Sequence, residues 1–206
     1  MDFAATVAER SAVKAYDPSH ELTDDDLRAL FALATRAPSS FNLQHWRYVV
    51  LRDAELRKQV RAAAWDQAQV TDAAVCVVVT ANVAAWSDAG FAWADAPAEI
   101  RDRMVPMIAG FYQDQPQLQR DEAIRSGALG AMALMFAATS MGLDSCPMIG
   151  FDPVKVSELI GLDADHTPVM LLPIGKRAAK NPWTSTRLPL ADVVKFNTLG
   201  GPGLAS

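Results

Sequence analysis

From Gly127 to Gly142 the chain carries no charged residue, and its small and apolar side chains leave a helix there with no polar face. Such a helix has no side to turn to water, so it must be enclosed all round. The run falls short of the roughly 20 apolar residues that cross a bilayer, which points to a buried core helix. Pro116 is placed to begin it and Gly142 to end it. A chain of 206 residues is short of material to wrap such a helix alone, so a second subunit packed against it is expected.

The remaining composition narrows the class. Half of the residues are hydrophobic, enough for one domain spanning residues 1–206 with a substantial core. A net charge of -5 without any basic cluster argues against nucleic acid or an anionic membrane as partner. Cys76 and Cys146 are far apart, and Cys76 sits in an apolar run, so neither a disulfide framework nor a zinc site is indicated. His20, His45 and His166 show no metal-ligand spacing, and no Ser-His-Asp arrangement can be read from their order. The opening Met1-Asp2-Phe3-Ala4-Ala5 lacks a basic lead and a long apolar core, so a cytoplasmic protein is expected.

Helices and strands alternate along the chain. Phe3, Val7 and Ala8 suggest a short first helix. Thr23 followed by three aspartates is a helix cap, and Leu27, Leu30, Phe31 and Ala34 share one helical face. Residues 46–51 and 167–175 read as strands, 53–64 as an amphipathic helix, and 154–160 as a short one. Residues 75–80 have the unbroken apolar character of a strand covered on both faces. Between Asn82 and Gln115 periodicity is weak, and one or two excursion helices that could cover a ligand are expected. The tail, residues 176–206, is rich in Pro, Thr, Asn and Gly. Its one regular piece, residues 192–196, has no obvious partner in the same chain and is expected to add a strand to another subunit. Strands separated by helices indicate an α/β or α+β three-layer domain.

One loop carries small polar groups in a fixed frame: Ala37-Pro38-Ser39-Ser40-Phe41-Asn42-Leu43-Gln44-His45-Trp46. Hydroxyls and carboxamides between a helix and a strand suit a rigid planar heteroaromatic ligand. The same residues are ordinary turn formers, and composition leaves both readings open.

Four segments, in order and spacing, resemble the FMN-dependent nitroreductase family over essentially the whole chain: Arg10 with Lys14, the loop just quoted, Gly142-Leu143-Asp144-Ser145-Cys146-Pro147-Met148-Ile149-Gly150-Phe151-Asp152, and Pro173-Ile174-Gly175 with Arg187 beyond. The resemblance implies an α+β nitroreductase-like fold, three layers with a central, mostly antiparallel sheet flanked by helices. It implies a homodimer with two FMN sites at the subunit interface and a domain-swapped tail wrapping the partner. By that analogy Arg10, Lys14 and Arg187 hold the flavin phosphate, as convergent guanidinium and ammonium groups would. Ser39, Ser40 and Asn42 follow the ribityl chain and ring edge. Gln67 or Gln69 faces the pyrimidine side, and Pro147, Met148, Ile149 and Gly150 pack beside the ring near N5.

Three departures from the family pattern stand out: Ala12 where a Ser is common, so that a hydroxyl contact is either missing or supplied by Ser11; His45 where a Pro is common; and Ile149 where some members carry an acid. The resemblance also implies a two-step reaction in which NAD(P)H reduces the flavin and a nitroaromatic or quinone then takes the electrons, with no side chain required as catalyst. A flavin-dependent dehydrogenase, oxidase or dehalogenase on the same fold, or a flavin carrier without turnover, would leave the same residues in place.

Overall fold

The computed structural model describes residues 2–179, 181 and 185–205. In chain order the elements are α1 (Phe3–Glu9), α2 (Asp24–Ala34), a 3-10 turn (Ser40–Asn42), β1 (Trp46–Leu51), α3 (Ala54–Ala63), α4 (Gln69–Asp72) and β2 (Val75–Asn82). A second 3-10 turn (Ala85–Asp88), α5 (Ala89–Ala92), α6 (Ala98–Tyr112), α7 (Pro116–Ser140), β3 (Asp144–Ser145), α8 (Pro153–Leu159), β4 (His166–Gly175) and α9 (Leu190–Val193) follow. The strands form one antiparallel sheet in the order β1-β2-β4-β3.

Local chemistry sets the helix ends. The Thr23 hydroxyl accepts from the Asp26 N–H at 3.1 Å while the Asp26 carboxylate accepts from the Thr23 N–H at 2.9 Å, a reciprocal cap that starts α2. Asp53 caps α3 by accepting from the Leu56 N–H at 2.7 Å. Gly142, at φ 76°, reverses the chain after α7 so that the Leu143 N–H reaches the Ala138 carbonyl at 2.9 Å.

Alternation along β2 builds the two cores. Val75, Val77 and Val79 face α2 and α7, meeting Leu30, Ala131, Leu134 and Ala138. Cys76 and Val78 face α3 and α8, meeting Val60, Phe151 and Val156. The outcome is the expected helix-sheet-helix sandwich with β2 buried on both faces. Helix α7 lies close on the sheet because glycines line its inner side. A Cβ on Gly127 would come within 2.7 Å of Val169 Cγ2, and one on Gly130 within 2.5 Å of the Tyr48 hydroxyl. In β4, Pro168 cannot donate to the ladder, and the register slips there by one residue.

Two expectations change. The short strand β3 adds to the three strands expected from the sequence, because two residues are too few to show periodicity. In the tail, residues 192–196 do not form a free strand. Leu190–Val193 make a helical turn begun at Pro189, and the chain then doubles back through Asn197 (φ 65°) and Gly201, so that Phe196 N–H bonds the Pro202 carbonyl at 2.9 Å. A left-handed residue followed by glycines supplies a partner strand locally, which periodicity alone does not reveal. The start of the tail lies along its own chain: Ala178 N–H reaches the Ala15 carbonyl at 2.9 Å, and Asn181 reaches that of Ala12 at 2.9 Å.

The outer side of α7 is uncovered. Leu129 and Met132 are exposed, and Phe136 packs edge-on to the exposed Phe3 ring of α1 at 5.6 Å. The half that faces the sheet is buried as the sequence requires, and the other half is an apolar stripe.

Candidate flavin site

Arg10, Ser11 and Lys14 lie on an extended segment pinned to the sheet edge. Ala12 pairs with Ser145 in parallel, and the Val13 N–H donates to the Ser145 carbonyl at 3.1 Å. Val13 and Tyr16 are the buried anchors of this segment, and Lys14 between them is exposed. Lys14 is near enough to the Cys146 thiol to ease its ionisation, although burial still pushes that thiol above its ordinary range. Beneath them Arg177 is bound to Glu9 at 3.0 Å and, through Nε at 2.9 Å, to Asp144, whose carboxylate holds the guanidinium above its usual pKa. Arg177 is thus locked within the chain, leaving Arg10 and Lys14 as the outward cations. Arg187 is exposed on the tail, and no hydrogen bond or ion pair joins it to them among the described residues.

The next stretch along the same edge is residues 147–150. Met148 pairs with Leu171 and turns its side chain into the core, so only its backbone borders the surface. Ile149 is 83% exposed. Gly150 lies against the turn after α3, where Trp65 and Asp66 both take positive φ, 55° and 56°. A Cβ on Gly150 would sit 2.7 Å from the Trp65 ring, a gap that only glycine permits. No sequence pattern singles out Trp65, because only its left-handed backbone brings the ring to Gly150. Gln67 donates to the carbonyls of Gly150 at 2.9 Å and Ala64 at 3.1 Å, and accepts from Gln69 at 3.2 Å. Both amide hydrogens of Gln67 are therefore committed within the chain, while Gln69 keeps its carboxamide oxygen.

Ser39, Ser40 and Asn42 sit elsewhere. Their turn is strained, with Phe41, Asn42 and Gln44 at positive φ of 49°, 56° and 50°. Ser39 Oγ accepts from the Gln44 N–H at 2.8 Å, and Ser40 Oγ accepts from the Tyr112 hydroxyl at 2.8 Å. Through Phe41 the turn packs edge-on against Phe111 and Tyr112, at the end of the long excursion helix α6.

The sheet register measures how far apart the two groups lie. The loop of Ser39 leads into Trp46 on edge strand β1, opposite Ala81 and Thr167, whereas Ser145 on the other edge strand lies opposite Ile174 and Val75. Three strand spacings of about 4.8 Å and six residues of about 3.4 Å separate these corners, a diagonal of roughly 25 Å. The structure therefore joins Arg10, Ser11, Lys14, Gln67, Gln69, Pro147, Met148, Ile149 and Gly150 into one border, and puts Ser39, Ser40 and Asn42 at the opposite corner. Two open hollows of about 400 and 410 Å³, beside Phe31 and beside Val105, touch neither group.

The donor set fits a flavin mononucleotide: outward cations for a phosphate and, on Gln69, a free carboxamide oxygen for the ring. A helix-sheet-helix sandwich with such a border is an α+β domain suited to holding a flavin. Comparison with known proteins makes the class definite: the model of the Nitroreductase family matches residues 7–176, and the chain belongs to that family. It is 46% identical to Protein DrgA of Synechocystis sp., an alignment covering 88% of this chain and 87% of that one. It is 33% identical to MhqN of Bacillus subtilis, named as an NAD(P)H nitroreductase, over 87% of this chain and 91% of that one. A protein from Exiguobacterium sibiricum assigned as a nitroreductase, solved in complex with FMN, superposes with a TM-score of 0.87 at 30% identity, covering 96% of this chain and 98% of that one.

Proposed function

We propose that this chain is an FMN-dependent NAD(P)H oxidoreductase that works as a homodimer and reduces nitroaromatics, quinones or a related small acceptor. The observation that carries the reading is the diagonal placement of its two polar groups. One copy presents Arg10, Ser11, Lys14, Gln69 and the 147–150 edge; Ser39, Ser40 and Asn42 come within reach only from a second copy. The uncovered stripe of Leu129 and Met132 supports burial of α7 between those copies.

In this arrangement Arg10 and Lys14 bind the phosphate as charge-assisted donors, and Arg187 joins them from the tail. The Gln69 carboxamide orients the pyrimidine side, while the serines and Asn42 of the other copy fix the ribityl chain and ring edge. Held by these residues, FMN would supply the redox chemistry, hydride uptake from the nicotinamide and electron release to the second substrate. The protein's share is to position, to keep the ring against an apolar wall, and to exclude water. The exposed Ile149 makes that wall apolar where an acid would attract a proton donor.

Purified protein is expected to show the visible absorbance of oxidised flavin, to elute and scatter light as a dimer, and to lose that absorbance on anaerobic addition of NADH or NADPH. A colourless monomer that takes up no FMN would remove the reading.

A further inference from the structure

The residues between α3 and α4 form a clasp on the 147–152 segment. The Asp152 N–H donates to the Ala63 carbonyl at 2.8 Å, and Gln67 Nε2 donates to the Gly150 carbonyl at 2.9 Å. The Trp65 ring lies so close that a Cβ on Gly150 would meet it at 2.7 Å. The clasp is itself braced: Arg61 binds the Asp66 carboxylate at 2.7 Å and the Thr71 hydroxyl at 2.9 Å, holding two residues in a left-handed conformation that bulky side chains rarely adopt. Gln69 completes Gln67's third hydrogen bond. The N–H groups of Ile149 and Gly150 donate to no acceptor among the described residues. Ile149 is exposed and Gly150 half-buried, so these donors face solvent, where a ligand laid against the segment can take the place of water.

We propose that Gln67 is a positioning residue: by spending both amide hydrogens on the Ala64 and Gly150 carbonyls, it aims the free N–H groups at residues 149–150 toward the redox-active edge of FMN and so sets the potential of the bound flavin. This rests on the flavin reading above and assigns Gln67 a different duty from ring contact. The sign follows from flavin chemistry. N5 of the oxidised ring accepts a hydrogen bond, whereas N5 of the reduced ring carries hydrogen, so a donor held there favours the oxidised form. Slackening the clasp relieves the reduced form and raises the potential.

The test compares wild type with Gln67→Leu, similar in size without either donor, and with Gln67→Glu, near-isosteric with an acceptor where the donors stood. Each apo-protein is titrated with FMN, and the midpoint potential of the bound flavin is then measured by spectroelectrochemistry. Affinity for oxidised FMN should stay within about threefold, while the ratio of reduced to oxidised binding changes about tenfold. For a two-electron couple that change reads as about 30 mV upward. An unmoved potential in a variant that binds FMN would overturn the proposal, as would a hundredfold loss of affinity at unchanged potential, which would make Gln67 a direct ligand. Failure of wild type itself to bind FMN would instead sink the flavin reading. Should one variant not fold, the potential of the other decides the question alone.

Discussion

Acidification should destabilise this protein through His45. The imidazole precedes β1, is 1% exposed, and has no partner for Nδ1. Burial pushes its pKa from an ordinary 6.5 down to about 4; Glu122 nearby pulls it partly back, and Arg47 adds to the depression. Between about pH 4 and 6.5 the unfolded chain binds a proton that the folded chain refuses. Stability therefore rises with pH across that window, is complete above it, and is lost as pH falls toward 4. The full span is about 3 kcal/mol at about 1.4 kcal/mol per pH unit, of which about 2 kcal/mol is gone at pH 5. Urea unfolding at saturating FMN, followed from pH 7.5 to 5, measures it against His45→Gln, which keeps every other titrating group. Wild type should lose about 2 kcal/mol more than the variant. Parallel curves for the two proteins, or a His45 resonance titrating near 6.5, would refute the reasoning. A corollary is that His45 stays neutral from pH 5 to 8, so any activity profile in that range belongs to other groups.

Two further substitutions probe the proposed phosphate border and the packing of α7. Arg10→Ala should lower FMN occupancy at fixed FMN while leaving the melting temperature of the apo-protein within a degree or so, because the Arg10 side chain makes no ion pair among the described residues and only its backbone caps α1; equal losses in both would make it a structural residue. Gly127→Ala drives a methyl to 2.7 Å from Val169 Cγ2 and should cost about 1–3 kcal/mol in denaturant unfolding. Adding Val169→Ala should recover part of that loss, and strict additivity of the two changes would show that they do not meet.

Much of the framework is legible in the sequence because it rests on local rules. The Thr23 cap, the Pro116 and Gly142 limits of α7 and the β1 span follow from capping chemistry and apolar patterning, and the structure has them where those rules put them. The double burial of β2 is equally plain in its unbroken run of apolar residues. What stays hidden depends on backbone reversals. Gln67 and Gln69 look equivalent in the sequence, and their difference emerges only when the left-handed Trp65-Asp66 turn swings Gln67 onto the Gly150 carbonyl. The tail's return on itself and the pairing of two-residue β3 are likewise tertiary matters with no period to betray them. The site is legible as four motifs, but their order along the chain cannot say that two fall at opposite corners of one sheet.

That diagonal has a consequence for genetics as well as chemistry. In the proposed pair of copies, related by a twofold axis, each centre would draw its cationic border from one molecule and its hydroxyl turn from the other. A copy crippled at Lys14 and a copy crippled at Ser40 would, once co-expressed, assemble hybrids in which both defects gather in a single centre and the remaining centre is intact. Two dead alleles would then complement one another within one protein, restoring up to half of the capacity of each hybrid.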